Sequence, residues 1–202
     1  HVDKKQPGRV VLYESGDTVT ENAVMAAART PGETIFQFAT ANYMVQDVCF
    51  FLEKLGVKID GIGTSTLKIK GVDGVIKKNV TYAPSEDPIE AMFFVSTAVT
   101  TNSGITVERV PIDFMALEML KLKKMGLRYD MTERYKAANG KTDLVDITVH
   151  KHDGNLRALT DKIHANVYPG LNQDNLPYFV PIAGVCKGRT LIHDWTYENR
   201  AI

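Results

Sequence analysis

Long apolar runs are missing from this sequence: no stretch approaches the roughly 18 to 20 residues that a membrane-spanning helix needs. The opening stretch "HVDKKQPGRV" also lacks the apolar core of a secretory signal. His1 stands where a methionine opens a nascent chain, so a processed or excised start is expected. Cysteine is nearly missing. Cys49 and Cys186, far apart and each in an apolar stretch, suit reduced core thiols of a cytoplasmic protein better than a disulfide framework. Net charge is missing too: 24 Lys and Arg balance 24 Asp and Glu, which removes the one-signed field that draws a protein to nucleic acid or an anionic membrane. An anionic ligand must therefore be held by local groups. What remains, 44% hydrophobic and 24% charged residues over 202 positions, is the composition of one or two folded domains.

What is present is a repeat. Three segments read alike, "MAAARTPGETIFQFA", "FVSTAVTTNSGITVERV" and "FVPIAGVCKGRTLIHDW". Each is a small-residue helix, a turn with a glycine, then a strand. The glycines, Gly32, Gly104 and Gly188, lie 72 and 84 residues apart. The longer interval holds a polar hairpin, "TERYKAANGKTD", with Asn139 and Gly140 as its turn signal. In the first unit a second helix follows the strand, because Met44, Val45, Val48, Phe51, Leu52 and Leu55 fall at helical spacing. Gly56 ends that helix, and "VKIDGIG" and "STLKIKGV" follow as strands. The second unit repeats the order with "IDFMALEMLKLKKMG", ended by Gly126, then "LRYDM" and "LVDITVHK". The third supplies "NVYP", a helix from about Asn175 and the strand "RTLIHDW", and the sequence stops as its second helix opens. Two full helix-strand-helix-strand-strand units and part of a third are expected, in a chain that is a fragment or one part of a nicked protein.

Along this frame run five motifs. "TENAVMAAA" resembles "TEN-apolar-MAA", and "FLEKLGVKIDGIGTSTLKIKGV" resembles "F-L-x-x-LG-A-K-I-x-G-x-GT-x-x-I-x-I-x-GV". "DPIEA" resembles "DRIE-x-G", "YPGLNQD" resembles "YPGFPTD", and "TYENR" resembles "IFENR". In this order they resemble the enolpyruvyl transferases, in the UDP-N-acetylglucosamine 1-carboxyvinyltransferase branch. The resemblance implies an α/β (α+β) fold, an inside-out α/β barrel pair whose two lobes of three units face a cleft. It makes residues 1–84 the last unit of one lobe, and 85–202 the first unit and an incomplete second unit of the other. It implies enolpyruvyl transfer from phosphoenolpyruvate to the 3'-hydroxyl of UDP-N-acetylglucosamine, the first committed step of peptidoglycan synthesis, in the cytoplasm. The remainder of the same enzyme chain would be this chain's partner.

The resemblance also picks out site residues. Asp174 matches the aspartate of "FPTD", which is implicated in proton transfer from the acceptor hydroxyl; Asn172 and Gln173 stand in place of the proline and threonine. As a plain helix cap, Asp174 would sit at the start of the helix from Asn175, before Pro177. Arg200 matches the arginine of "ENR", a fork donor suited to phosphate or carboxylate. Thr196 falls where the family meets the nucleotide-sugar through a strand end. Ser15, Gly16 and Asp17, within "ESGD", occupy the stretch of the family's "K-x-S-V-G" nucleotide-binding loop, without its lysine. The family's catalytic cysteine loop lies upstream of residue 1, so neither Cys49 nor Cys186 takes that role.

Other residues read as structural. Asp87 and Glu90 mark the crossing between lobes. Tyr43, Phe50 and Phe51 belong to the core, and Lys121, Lys123 and Lys124 to a wet helix face. His150 and His152 form an H-x-H on a strand, where period two puts both on one face. A metal needs further ligands, none is evident, and no metal or cofactor is expected. Two rival functions stay open, an EPSP synthase-like transferase and a non-catalytic remnant that binds a nucleotide-sugar or a partner protein.

Overall fold

A computed structural model describes residues 6–73 and 79–196. The chain divides into two compact α/β units, residues 1–85 and 86–202.

In the first unit, strand β1 (Arg9–Val11) leads into α1 (Asp17–Ala28), β2 (Gly32–Gln37), α2 (Tyr43–Lys54), β3 (Lys58–Asp60) and β4 (Thr66–Gly71). The sheet order is β1-β2-β4-β3, with β1 parallel to β2 and both β2 and β3 antiparallel to β4. Strand β4 shows why it lies on the core: Leu67 and Ile69 are buried while Lys68 and Lys70 between them are exposed, the alternation of a half-covered strand. Helix α1 buries Thr20, Val24, Ala27 and Ala28, one stripe at helical spacing. Helix α2 contributes Val45, Cys49 and Leu52 to the same core.

The second unit repeats the plan. Helix α3 (Pro88–Thr100) is followed by β5 (Ile105–Pro111), a 3-10 turn at Ile112–Phe114, α4 (Ala116–Lys124), β6 (Tyr129–Met131), β7 (Tyr135–Lys136) and β8 (Asp143–Val149). The sheet order β5-β8-β6, all antiparallel, matches β2-β4-β3. The added hairpin strand β7 pairs with β8. The two second helices end alike. Gly56 and Gly126 take φ of +99° and +100°, and past them Val57 N–H and Leu127 N–H donate to Leu52 and Leu122 carbonyls. A left-handed residue with this six-residue bond is the glycine stop that frees a helix end from unpaired carbonyls. It also fixes the register between copies, so Val45, Cys49 and Leu52 correspond to Met115, Met119 and Leu122, all buried.

The remainder supplies β9 (Ile163–His164), a 3-10 turn at Leu176–Tyr178, α5 (Phe179–Val185) and β10 (Ile192–His193). Strands β9 and β10 pair in parallel, as β1 and β2 do. Here the structure departs from the pattern read in the sequence. The helix expected from Asn175 begins only at Phe179 and lasts seven residues, and the strand "RTLIHDW" shrinks to two. Pro181 and Gly184 lie in α5, the two worst helix formers, which accounts for its brevity. His150 and His152 lie beyond the end of β8, not on it. Phe51, placed in the core by spacing, is exposed and packs edge-on against Tyr82 at 5.6 Å. Gly32 has φ +107° but Gly104, at the matching strand start, has no positive φ. Among the described residues no helix is long and apolar enough to cross a membrane.

Candidate functional site

The segment carrying Asp174 leaves β9 and folds on itself, Asn166 N–H donating to the Leu171 carbonyl at 2.9 Å. It then turns about Asn172, whose carbonyl accepts from Asn175 N–H and Leu176 N–H and whose Oδ1 accepts from Asp174 N–H at 2.8 Å. Leu171, Asn172, Asn175 and Leu176 are buried and Asp174 is half-buried. Asp174 is not the helix cap its position suggested: the residue ahead of the 3-10 turn is Asn175, and α5 starts five residues after Asp174.

Under this turn lies Glu118 of α4, 2% exposed. Its Oε1 accepts from Asn175 Nδ2 at 2.9 Å and from Asn172 N–H at 3.3 Å. Burial pushes the Glu118 carboxyl up, more than these hydrogen bonds and the nearby Lys121 pull it down, because desolvation disfavours the charged form. Asn175 Oδ1 is buried with no partner among the described residues. Nothing in the sequence reading singled out Glu118. The available signal was a carboxylate at an apolar-stripe position, between Met115, Met119 and Leu122.

Thr196 follows β10, with its N–H on Asp194 Oδ1 at 3.1 Å and its Oγ1 buried without a partner among the described residues. Its neighbour Trp195 donates from Nε1 to the Ala165 carbonyl at 2.8 Å, one residue before Asn166. The end of β10 is thus tied to the root of the Asp174 segment. Arg200 lies outside the described residues.

Ser15, Gly16 and Asp17 belong to the first unit. Gly16 stands ahead of α1 with extended backbone, Thr20 Oγ1 donates to its carbonyl at 2.7 Å, and Asp17 is the first helical residue rather than part of a loop. Asp17 Oδ2 accepts from Asn42 Nδ2 at 2.8 Å, and Asn42 Oδ1 accepts from Tyr43 N–H at the start of α2. The Asp17 carboxylate therefore ties two helix starts together. Glu21, one turn on, is pushed up by burial and by Asp17.

A second polar cluster was also missed. Strand β5 is irregular between Val107 and Val110, where Arg109 takes φ +60°. Arg109 N–H donates to Asp146 Oδ1 at 2.9 Å, Tyr135 OH donates to the same oxygen at 2.5 Å, and Arg109 pairs with Glu86. The Tyr135 bond holds the Asp146 carboxyl below the usual range, with Arg109 adding to it. The hairpin found in the second unit alone thus props a left-handed arginine. Elsewhere in this unit an open pocket of about 580 Å³ is lined by Lys123, Leu127, Arg128, Tyr129, Asp130 and His150.

The remaining candidates have structural partners. Asp87 caps α3 through Ile89 N–H. His150 Nε2 meets Asp130 at 2.7 Å, and His152 Nδ1 accepts from Gly154 N–H. Among the described residues no group of three His, Cys, Asp or Glu could hold a metal. Both cysteines are free. Burial, then Glu53, pushes the Cys49 thiol up to about 12, and burial raises Cys186; neither is an activated nucleophile.

Comparison with known proteins draws these features together. The chain is 31% identical over 183 residues to UDP-N-acetylglucosamine 1-carboxyvinyltransferase of Sulfurovum sp. (strain NBC37-1), covering 90% of this chain and 40% of that enzyme. It is 31% identical over 193 residues to the enzyme of the same name from Finegoldia magna, covering 96% and 42%. The chain thus spans less than half the length of these relatives. The enolpyruvyl transferase NikO from Streptomyces tendae shares the fold, with a TM-score of 0.80 at 21% identity over 98% of this chain and 46% of that one. EPSP synthase from Acinetobacter baumannii also shares it, with a TM-score of 0.61 at 18% identity over 93% and 40%. Residues 4–166 match the EPSP synthase (3-phosphoshikimate 1-carboxyvinyltransferase) family, and the chain belongs to that family.

Proposed function

We propose that this chain is part of a cytoplasmic enzyme that transfers the enolpyruvyl group of phosphoenolpyruvate to the 3'-hydroxyl of UDP-N-acetylglucosamine, in peptidoglycan synthesis and so in cell shape and division. Residues 1–84 form the last unit of one lobe of an inside-out α/β barrel pair. Residues 85–202 form the first unit and part of the second in the other lobe, and further sequence of the same enzyme completes the site. Transfer proceeds by addition of the hydroxyl to phosphoenolpyruvate and elimination of phosphate through a tetrahedral intermediate. Asp174 accepts the hydroxyl proton, a role that needs a carboxylate held within hydrogen-bond reach of its target. Thr196 contributes backbone to the nucleotide-sugar, Arg200 binds a phosphate or carboxylate, and Ser15, Gly16 and Asp17 lie along the nucleotide. The observation that carries this reading is the Asp174 segment, ordered about Asn172 and anchored in the core by Glu118, in a chain whose relatives bear the name of this reaction.

A second reading, non-catalytic binding of a nucleotide-sugar, is favoured by Asp17, whose carboxylate is committed to Asn42 in the stretch where the family lysine is absent. Calorimetry on the complete gene product separates the readings. Heat of binding with UDP-N-acetylglucosamine and none with shikimate 3-phosphate, together with phosphate release from phosphoenolpyruvate, supports the transferase. Binding without phosphate release supports the remnant. Binding of shikimate 3-phosphate instead moves the activity to the EPSP synthase type. The 202-residue chain by itself is expected to release no phosphate, and turnover by it would overturn the division of the site across a longer enzyme.

A further inference from the structure

Glu118 is the one charged side chain among the buried described residues. A carboxylate there is costly, since a buried charge loses its hydration and a hydrocarbon of like size packs at least as well. The internal repeat supplies the comparison. Counting back eight residues from the helix-ending glycine gives Glu118 in α4 and Val48 in α2, and Val48 packs on the core of its own unit. The same helix, in the same register, uses a hydrocarbon in one copy and a carboxylate in the other. The copy with the carboxylate is the one packed beneath the Asp174 segment.

The contacts explain the difference. Glu118 Oε1 holds the residue two before Asp174 by its backbone, through Asn172 N–H, and the residue after it by its side chain, through Asn175 Nδ2. Asn172 Oδ1 in turn holds the Asp174 N–H itself. Asp174 is therefore bracketed by two asparagines that share one buried oxygen. Of the two, Asn172 sits where "YPGLNQD" departs from the proline of "YPGFPTD", and Asn175 follows the matched stretch. A proline stiffens a turn through its ring; here the turn is fixed through a carboxylate of the neighbouring helix.

We infer that Glu118 is a positioning residue: it fixes the turn at Asn172–Asn175 so that Asp174 meets the acceptor hydroxyl. This rests on the reading of Asp174 as the proton acceptor, and the test keeps the two apart. In the complete enzyme, Glu118→Leu removes the shared acceptor. Turnover per folded molecule falls by about 10-fold or more, while KM for phosphoenolpyruvate holds, because general-base catalysis depends on placement. Glu118→Gln keeps a carbonyl oxygen for both donors and restores most of that loss. Asp174→Asn alone lowers turnover by about 100-fold, and adding Glu118→Leu to it lowers turnover no further, the signature of two residues acting as one unit. Hydrogen exchange of the amides of residues 171–176 reads the turn directly: it quickens in Glu118→Leu while that of β8 does not. Equal exchange, or a Glu118→Leu loss that persists in full in the Asp174→Asn background, overturns the positioning role. Near-normal turnover of Asp174→Asn overturns the general base instead, and with it the catalytic purpose of the lock.

Discussion

Glu118 is a carboxylate where the stripe of Met115, Met119 and Leu122 calls for a hydrocarbon, and its titration should be visible in stability. Burial raises its folded value, opposed by Asn175, Asn172 and Lys121, and its charge helps to raise Tyr168, behind burial and Asp113. In the unfolded chain the proton leaves near the ordinary glutamate value of 4.5. Above that pH the folded state holds more protons than the unfolded one, so this group's contribution falls as pH rises, until the folded carboxyl ionises. A neutral Glu118 also carries the one O–H, a donor of the kind Asn175 Oδ1 lacks. Glu118→Gln is neutral at every pH and escapes this loss. The melting temperature of Glu118→Gln relative to the native protein should therefore climb from about pH 4.5 upward. A difference that stays flat from acid to neutral pH would mean that the buried carboxyl titrates as it does in water.

At the scale of elements, the parts legible in the sequence were those fixed by local periodicity and its punctuation. Helix α2 and strand β4 lie within the ranges their spacing marked, and Gly56 and Gly126 stop their helices as read. The parts that were not legible depend on partners remote in sequence. Glu118 meets Asn172 and Asn175 from 54 and 57 positions away, so the local stripe marks it as out of place but not what it holds. Asn175 is consequently drawn to the core rather than starting a helix. The site residues were legible only through the resemblance, which marked the Asp174 segment but not what holds it. Another close approach between elements has a measurable cost. A Cβ added at Gly71, the end of β4, would lie 2.0 Å from the Thr30 carbonyl oxygen and 2.3 Å from that of Ala27, where α1 ends and Val72 N–H donates to the Ala28 carbonyl. Backbone on both sides leaves little to yield, so Gly71→Ala should destabilise the first unit by about 1–3 kcal/mol, the usual scale of overpacking. A urea midpoint equal to that of the native protein would show that α1 shifts freely away from β4.

At the scale of the whole chain, two compact units meet in sequence at Ser85 and Glu86, and the segment before that boundary is held by the first unit. Asp47 of α2 accepts from Tyr82 OH at 2.6 Å and from Ser85 N–H at 2.9 Å. Lys54 Nζ donates to the Thr81 carbonyl at 3.0 Å, and Phe51 packs on the Tyr82 ring. An exposed helix face therefore does the work of a clamp, which accounts for a phenylalanine on the outside of α2. Segments held by few contacts open first and are cut first by proteases. Asp47→Ala removes both bonds to its carboxylate while leaving the core stripe Val45, Cys49 and Leu52 untouched. Cleavage by a broad-specificity protease within residues 79–85 should then quicken by about 10-fold, the scale set by losing roughly 1.4 kcal/mol of local stability. The melting temperature of the first unit should shift little by comparison. If the mutant and native chains are cut there at the same rate, the ring of Tyr82 and the Lys54 contact suffice, and Asp47 has no part in holding this segment.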